Sequence, residues 1–372
     1  MSGELKTKVG GQAVLEGVMM RSPRCFAVVV RRKDGALVVR EQPWKGEWAL
    51  RLTKIPFLRG VATLVESMSN GYNALNFSAE QMEEDLIAEE DAKAAKEAAA
   101  TASASGTAVA ATAPAKSAAA KSEGGMSSGA ANKLAMLFAI AFFIALPQLL
   151  AWVVGKLFGP GLGMQDFLFH ALTGAFKLAL VIGYMLLIRR IPEVRRVFQY
   201  HGAEHKAIAT FEAGNPLELE YARKYSTRHA RCGTTFLMVV VIVSVFVYAA
   251  VLPPLLKGIG AGAAQLYAIA IKVMMLPVIA GFSYELQRLG ARFSNNPLTK
   301  LLLGPGYLVQ GITTIEPDDD QLEVALASLK VTLAREAAES AGKAHPVSEP
   351  VVRKFHSFAH FSEQFAIAGF KG

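Results

Sequence analysis

Cysteine is almost missing from this chain. Cys25 and Cys232 are the two among 372 residues, and they lie far apart. Two distant thiols give no disulfide framework, which excludes a stapled secreted domain and fits a reducing compartment. Met1 to Gly11 is polar and lacks an apolar core of signal-peptide length. Bulky side chains are scarce in residues 101–130, which are almost entirely Ala, Ser, Thr and Gly with scattered Lys. Such a stretch cannot bury enough surface to offset its ordering entropy, so it reads as a flexible linker without a site. Residues 79–100, rich in Glu and Ala, read as an exposed helix.

What is abundant is apolar surface, 52% of the residues, gathered in long blocks. The length would allow two or three soluble domains, but this clustering argues for a membrane protein. Leu134–Phe158, Phe167–Ile188, Thr234–Leu256 and Ala263–Phe282 are each long enough to cross a hydrocarbon core of about 30 Å at about 1.5 Å per residue. Lys177 and Lys272 interrupt two of them and require a bundle interior, a cavity or a partner. The formal charge is +8, and its placement follows the blocks. The loop between the second and third blocks carries Arg189, Arg190, Arg195, Arg196, Lys206, Arg223, Lys224, Arg228 and Arg231. The short loops near 159–166 and 257–262 hold only Lys257. Basic loops stay inside, so both termini and the long loop are expected in the cytoplasm, and the basic excess reads as a topology signal rather than a nucleic-acid site.

The expected fold is an α-helical polytopic membrane protein of about four transmembrane helices with a small α+β cytoplasmic head. Its parts are an N-terminal α+β region (1–78), an Ala-rich linker (79–130), a membrane region (131–340) with a His-rich loop (189–233), and a tail (341–372). In the first part, Phe26 to Arg32 and Ala36 to Arg40 form a hairpin around Asp34-Gly35. Trp44 and Trp48 cover that sheet or sit at the bilayer interface. The preceding stretch, with Glu16 and Arg21 flanking Val18-Met19-Met20, reads as a solvated turn with an ion pair. Leu58, Val61, Leu64, Val65, Met68, Tyr72 and Leu75 form one helical stripe. Gly304-Pro305-Gly306-Tyr307 reads as a turn, and Leu322, Ala325, Leu326 and Leu329 mark a helix after Asp318-Asp319-Asp320. His356 and His360 lack an acid between them and read as surface residues.

The chemistry concentrates in Tyr200-His201-Gly202-Ala203-Glu204-His205-Lys206 and His229-Ala230-Arg231-Cys232-Gly233. On a helix, His201, Glu204 and His205 share a face at i, i+3 and i+4. His-x-x-Glu-His is the inverted zinc-hydrolase pattern, with two imidazole ligands and a Glu base. A plainer account is a polar helix face on the membrane surface, with Glu204 paired to Lys206 or Arg231. His229 and Cys232 follow the Gly214-Asn215-Pro216 break, so the chain can fold back on the pair. His229 is the expected third ligand, with Cys232, Glu285, Glu316 and Glu16 as further ligands or supporting groups. Glu285 and Glu316 also read as an interface ion pair with Arg288 and a capping acid.

Gly10-Gly11-Gln12-Ala13-Val14-Leu15-Glu16-Gly17-Val18-Met19-Met20-Arg21, the His201 and Cys232 motifs, Ser283-Tyr284-Glu285 and Thr314-Ile315-Glu316-Pro317-Asp318 occur in this order. Together they resemble the YqhQ-like family of bacterial membrane proteins, from about residue 9 to 330 except 79–130. The resemblance implies a multi-pass protein of the bacterial inner membrane and a predicted metal-dependent enzyme. The expected function is a metal-dependent hydrolase with a divalent cofactor of zinc type and Glu204 as catalytic base. Alternatives are a thiol enzyme using Cys232 with His229 or His205 as base, and a non-enzymatic scaffold with a structural metal or polar site. The expected partner is the lipid bilayer, with no nucleic acid; the substrate is unassigned and self-assembly is left open.

The topology is testable by cysteine labelling in sealed cells. Probes at Gly161 and Gly260 should react with an impermeant reagent, and a probe at Gly214 should not. Labelling at Gly214 would overturn the orientation.

Overall fold

The computed structural model describes residues 9–43, 55–105, 128–158, 166–229, 232–292, 296–341 and 350–367. Trp44, Trp48, most of the 101–130 stretch and the loop at 159–165 lie outside the described residues.

The N-terminal part is a meander of β1 (Gly10–Val14), β2 (Gly17–Arg21), β3 (Cys25–Arg31) and β4 (Leu37–Pro43), paired antiparallel in chain order. Asp34-Gly35 closes β3 to β4 as expected, with Gly35 at φ 84° and its N–H donating to Arg32 O at 2.9 Å. The stretch before β3 is not a solvated turn. It is the β1–β2 hairpin, with Val14 opposite Gly17 and Val18, Met19 and Met20 buried. Its loop, Leu15-Glu16, lacks the Asn-Gly signature of tight hairpins, and Glu16 takes the left-handed conformation at φ 48°. Glu16 pairs with Arg196 and not with Arg21.

The helices in chain order are α1 (Leu58–Ser105), α2 (Ser128–Ile140), α3 (Leu146–Phe158), α4 (Phe167–Ile188), α5 (Pro192–Glu212), α6 (Leu219–Ala222), α7 (Gly233–Leu256), α8 (Ala261–Arg292), α9 (Pro297–Thr313), α10 (Asp319–Ser340) and α11 (Phe358–Ile367). α1 runs unbroken through the composition boundary at residue 78. A π-helical turn, Ala141–Ala145, joins α2 to α3. Four helical stretches are long and apolar enough to cross a membrane: Lys133–Leu157, Phe167–Ile188, Gly233–Leu256 and Ala263–Gly290. The Gly304-Pro305-Gly306 stretch, expected as a turn, is helical within α9. Gly306 serves packing: a Cβ there would fall 2.7 Å from the Thr235 side chain of α7.

The sheet is covered on both faces. That explains why Phe26 to Val30 reads as a continuous apolar run instead of alternating. Phe26, Val28 and Val30 pack with Ala74 and Phe77 of α1. Ala27 and Val29 pack on the other side with Tyr200, Ala203 and Ala207 of α5 and with the α10 stripe Leu322, Ala325, Leu326 and Leu329. α10 starts at Asp318, whose N–H donates to Gln321 Oε1 at 2.9 Å, closing the first turn. Residues expected as a tail complete this layer. β5 (Val351–Phe355) pairs antiparallel with β4, and Phe361 of α11 is fully buried in the same core as Phe355.

α5 is held against the segment that leaves α9. Ile315 N–H donates to Phe198 O at 3.0 Å, and a Cβ on Gly202 would sit 2.1 Å from Ile315 O. Only glycine permits this approach. Gly202→Ala should therefore destabilise the protein by about 1–3 kcal/mol, the cost of overpacking. The check is the thermal unfolding midpoint in detergent, and an unchanged midpoint would refute the tight contact.

Candidate metal centre

α5 places His201 and His205 one turn apart, with ring centroids 4.5 Å from each other and the planes at 62°. Each ring is anchored by Nδ1. His201 Nδ1 lies 2.9 Å from Thr313 O, and His205 Nδ1 lies 2.5 Å from Thr227 O. A carbonyl only accepts, so both Nδ1 atoms carry the proton and both Nε2 atoms keep a lone pair. This tautomer assignment comes from the acceptors.

Cys232 stands at the N-terminus of α7. Its Sγ lies 3.3 Å from His201 Nε2 and 3.2 Å from Thr234 Oγ1, and it accepts from Thr234 N at 3.4 Å. One donor atom from each of His201, His205 and Cys232 falls within 4.8 Å of the other two. His205 and Cys232 are 1% and 5% exposed. Gln287 fixes the cysteine by donating to its carbonyl at 3.1 Å.

His229, the expected third ligand, takes a neighbouring position. Its ring centroid is 5.7 Å from that of His205, and its Nε2 lies 3.1 Å from Glu212 Oε2. Its backbone is pinned by Gln310 of α9, which accepts from His229 N and donates to His229 O, both at 2.8 Å. The structure thus brings Cys232, and not His229, to the two Nε2 atoms.

The acids sort differently from expectation. Glu16 is bound by Arg196, with Tyr200 Oη donating at 3.3 Å; Glu285 is bound by Arg59; Glu316 is bound by the buried Lys206. All three are engaged by cations away from the His201–His205–Cys232 cluster. Glu204 remains beside the histidines. It is 5% exposed and packs on Gly11 of β1, where a Cβ would fall 2.8 Å from its Cγ. Burial raises its carboxyl above the usual range, opposed by His201, His229, Arg21 and the Gly11 N–H. Burial likewise lowers His205, opposed by Cys232, and lowers His229, opposed by Glu204. Each group is thereby biased to its neutral form.

Gln310, Gln287, Thr227 and Thr313 support the centre without any motif announcing them. Gln310 is visible in sequence as a polar residue in a mostly apolar stretch, whereas Gln287 sits between the charged Glu285 and Arg288 and does not stand out. Thr227 and Thr313 act through carbonyls, which carry no side-chain signal.

Comparison with known proteins places the chain in a family. Residues 55–335 match the family model described as "Protein of unknown function (DUF1385)". The chain is 33% identical over 331 residues to "Uncharacterized protein YqhQ" of Bacillus subtilis (strain 168), covering 88% of this chain and 93% of that protein. No solved structure matches.

The second thiol contrasts with the first. Cys25 is 1% exposed, close to Ser22 Oγ and Thr332 O, and burial pushes it up to about 12. A thiol that stays protonated and enclosed is not a nucleophile. Cys25 should therefore resist iodoacetamide at pH 8.5 in the folded protein and react only after unfolding, as read by peptide mass spectrometry. Native modification of Cys25 would contradict the packing.

Proposed function

This chain belongs to the DUF1385 family, and on that premise we propose a multi-pass protein of the bacterial inner membrane that carries a zinc-type hydrolytic centre on its cytoplasmic side. The four long apolar helices support the membrane reading, and the basic loop 189–231 supports the orientation. In this reading the sheet, α5 and α10 form the head, and the four long apolar helices within residues 131–340 supply the membrane region.

One observation carries the metal. Both histidines direct Nδ1–H to a backbone carbonyl, so two Nε2 lone pairs are left near one thiol. Metal-bound histidines are held this way, with the second nitrogen fixed by an outer hydrogen bond. Two imidazoles and a sulfur suit zinc, whose tetrahedral ligands stand about 3.3–3.8 Å apart. His201, His205 and Cys232 would hold the ion, which supplies Lewis acidity and an activated water. Glu204 would hold or pass a proton beside the histidines, since burial keeps its carboxyl ready to be neutral. The substrate class is an acyl, peptide or phosphate ester bond.

A second account is a closed structural site in a membrane scaffold. The burial of His205, Cys232 and Glu204 favours it. Access to the ion separates the two: an open position binds an added anion, and a closed site does not.

Protein purified without chelators should contain about one zinc per chain by elemental analysis. His201→Ala, His205→Ala and Cys232→Ala should each lower this at least about tenfold, while Glu204→Gln keeps the metal and loses any hydrolysis. Cobalt substitution then reports access, because azide should alter the visible spectrum of an open site. A metal-free wild type, or a metal content indifferent to His205→Ala, would sink the centre.

A further inference from the structure

A second polar site lies away from the histidines. His170, Thr173, Lys177, Ser244, Tyr248 and Lys272 line a small cavity among α4, α7 and α8, with room for a single water-sized particle. Lys177 is near the middle of α4 and Ser244 near the middle of α7. Lys272 is 3% exposed. The Lys177 and Lys272 Nζ atoms lie 5.9 Å and 5.4 Å from the Tyr248 ring centroid. No Asp or Glu lines the cavity among the described residues.

Two amines inside an apolar bundle hold a charge only where a counter-charge lies beside them. The hydrogen-bond inventory shows what the cavity still offers. Thr173 donates to Phe169 O at 2.8 Å, and Ser244 donates to Val241 O at 2.7 Å. Tyr248 donates to Lys272 O at 3.2 Å. These hydroxyl protons are engaged. An ammonium group has three donors, and Gln148 Oε1 takes one from Lys272. Besides the His170 ring, the donors left to an occupant are lysine N–H groups.

The helices are also shaped around this point. A Cβ on Gly174 would fall 2.3 Å from Val245 Cγ2, so glycine brings α4 against α7 here. Ile144, which also lines the cavity, sits in the π-helical turn between α2 and α3. Such turns occur often at functional sites.

We propose that this cavity is an intramembrane binding site for a monatomic anion of chloride class, held between Lys177 and Lys272. The inference rests on reading the four helices as membrane spans and is independent of the metal centre. Negative charge satisfies both ammonium groups, and a cavity with room for one water-sized particle excludes polyatomic anions.

The test uses full-length protein in lipid nanodiscs and radiolabelled chloride as the probe. Saturable binding of about one chloride per chain is expected, displaced by bromide and not by gluconate. Lys177→Met and Lys272→Met should each weaken it about tenfold or more, the loss of one charge-assisted contact. Absence of saturable binding to folded wild-type protein overturns the proposal without any variant. Binding unchanged in both variants overturns it as well. If Lys272→Met does not fold, Lys177→Met and the wild-type measurement decide. Alkaline carbonate extraction separates the premises: release from the membrane refutes the span reading, whereas an integral protein that binds no chloride refutes only the anion site.

Discussion

The centre depends on one contact, the laying of the chain at 313–316 along two turns of α5. Ile315 reaches the carbonyl of Phe198, Gly202 clears a path for the carbonyl of Ile315, and Thr313 O receives the proton of His201. Lys206 closes the far end by pairing with Glu316. The backbone that leaves α9 therefore sets the rotation of a histidine ring. Thr227 does the same for His205 from the other side. Two carbonyls with no freedom to donate decide which imidazole nitrogens stay basic. A side chain at position 202 would push this segment off the helix and release the ring together with the contact.

Charged pairs join parts distant in sequence. Arg196 reaches Glu16 across 180 positions, and Arg59 reaches Glu285 across 226. Arg32 ties the β3–β4 turn to Asp85 of α1 at 2.7 Å. The pair most open to solvent, Arg196–Glu16, adds little stability. The value of such pairs here is placement: Glu16, Glu285 and, through Lys206, Glu316 are each held by a cation. Glu204 is left as the buried carboxyl group near His201 and His229, packed on Gly11 of β1, while Glu212 meets His229 from the more exposed side.

Much of this was legible in the sequence. The His201–His205 face follows from helical spacing, the Asp34-Gly35 hairpin from turn chemistry, and the four long apolar helices from length. The α10 stripe follows from its period. What failed did so where tertiary packing overrides a local rule. The β1–β2 loop has no glycine-type turn residue at Glu16, so strand pairing imposes the left-handed backbone. Gly304-Pro305-Gly306 signals a turn, yet contact with Thr235 keeps it helical. Cys232 and His229 lie three positions apart in a loop, and no periodicity says which one points inward. That choice is made by Gln310 and Gln287, two helices away. β5 was hidden because its outer residues are exposed and alternate weakly, while its pairing partner lies some three hundred residues earlier.

The closure of the sheet by β5 bears on how the molecule is made. Synthesis delivers β1 to β4 first, with Val18, Met20, Ala27 and Val29 on an uncovered face. The layer that covers this face, α5 and α10, emerges only after two and then four of the long apolar helices have left the ribosome. The last strand and α11 come at the very end. The sheet therefore cannot be packed on both faces as an independent N-terminal unit during translation, unlike domains that fold in order from the N-terminus. Its nascent hairpins must wait, with an apolar surface and an open strand edge, until the remainder of the chain arrives.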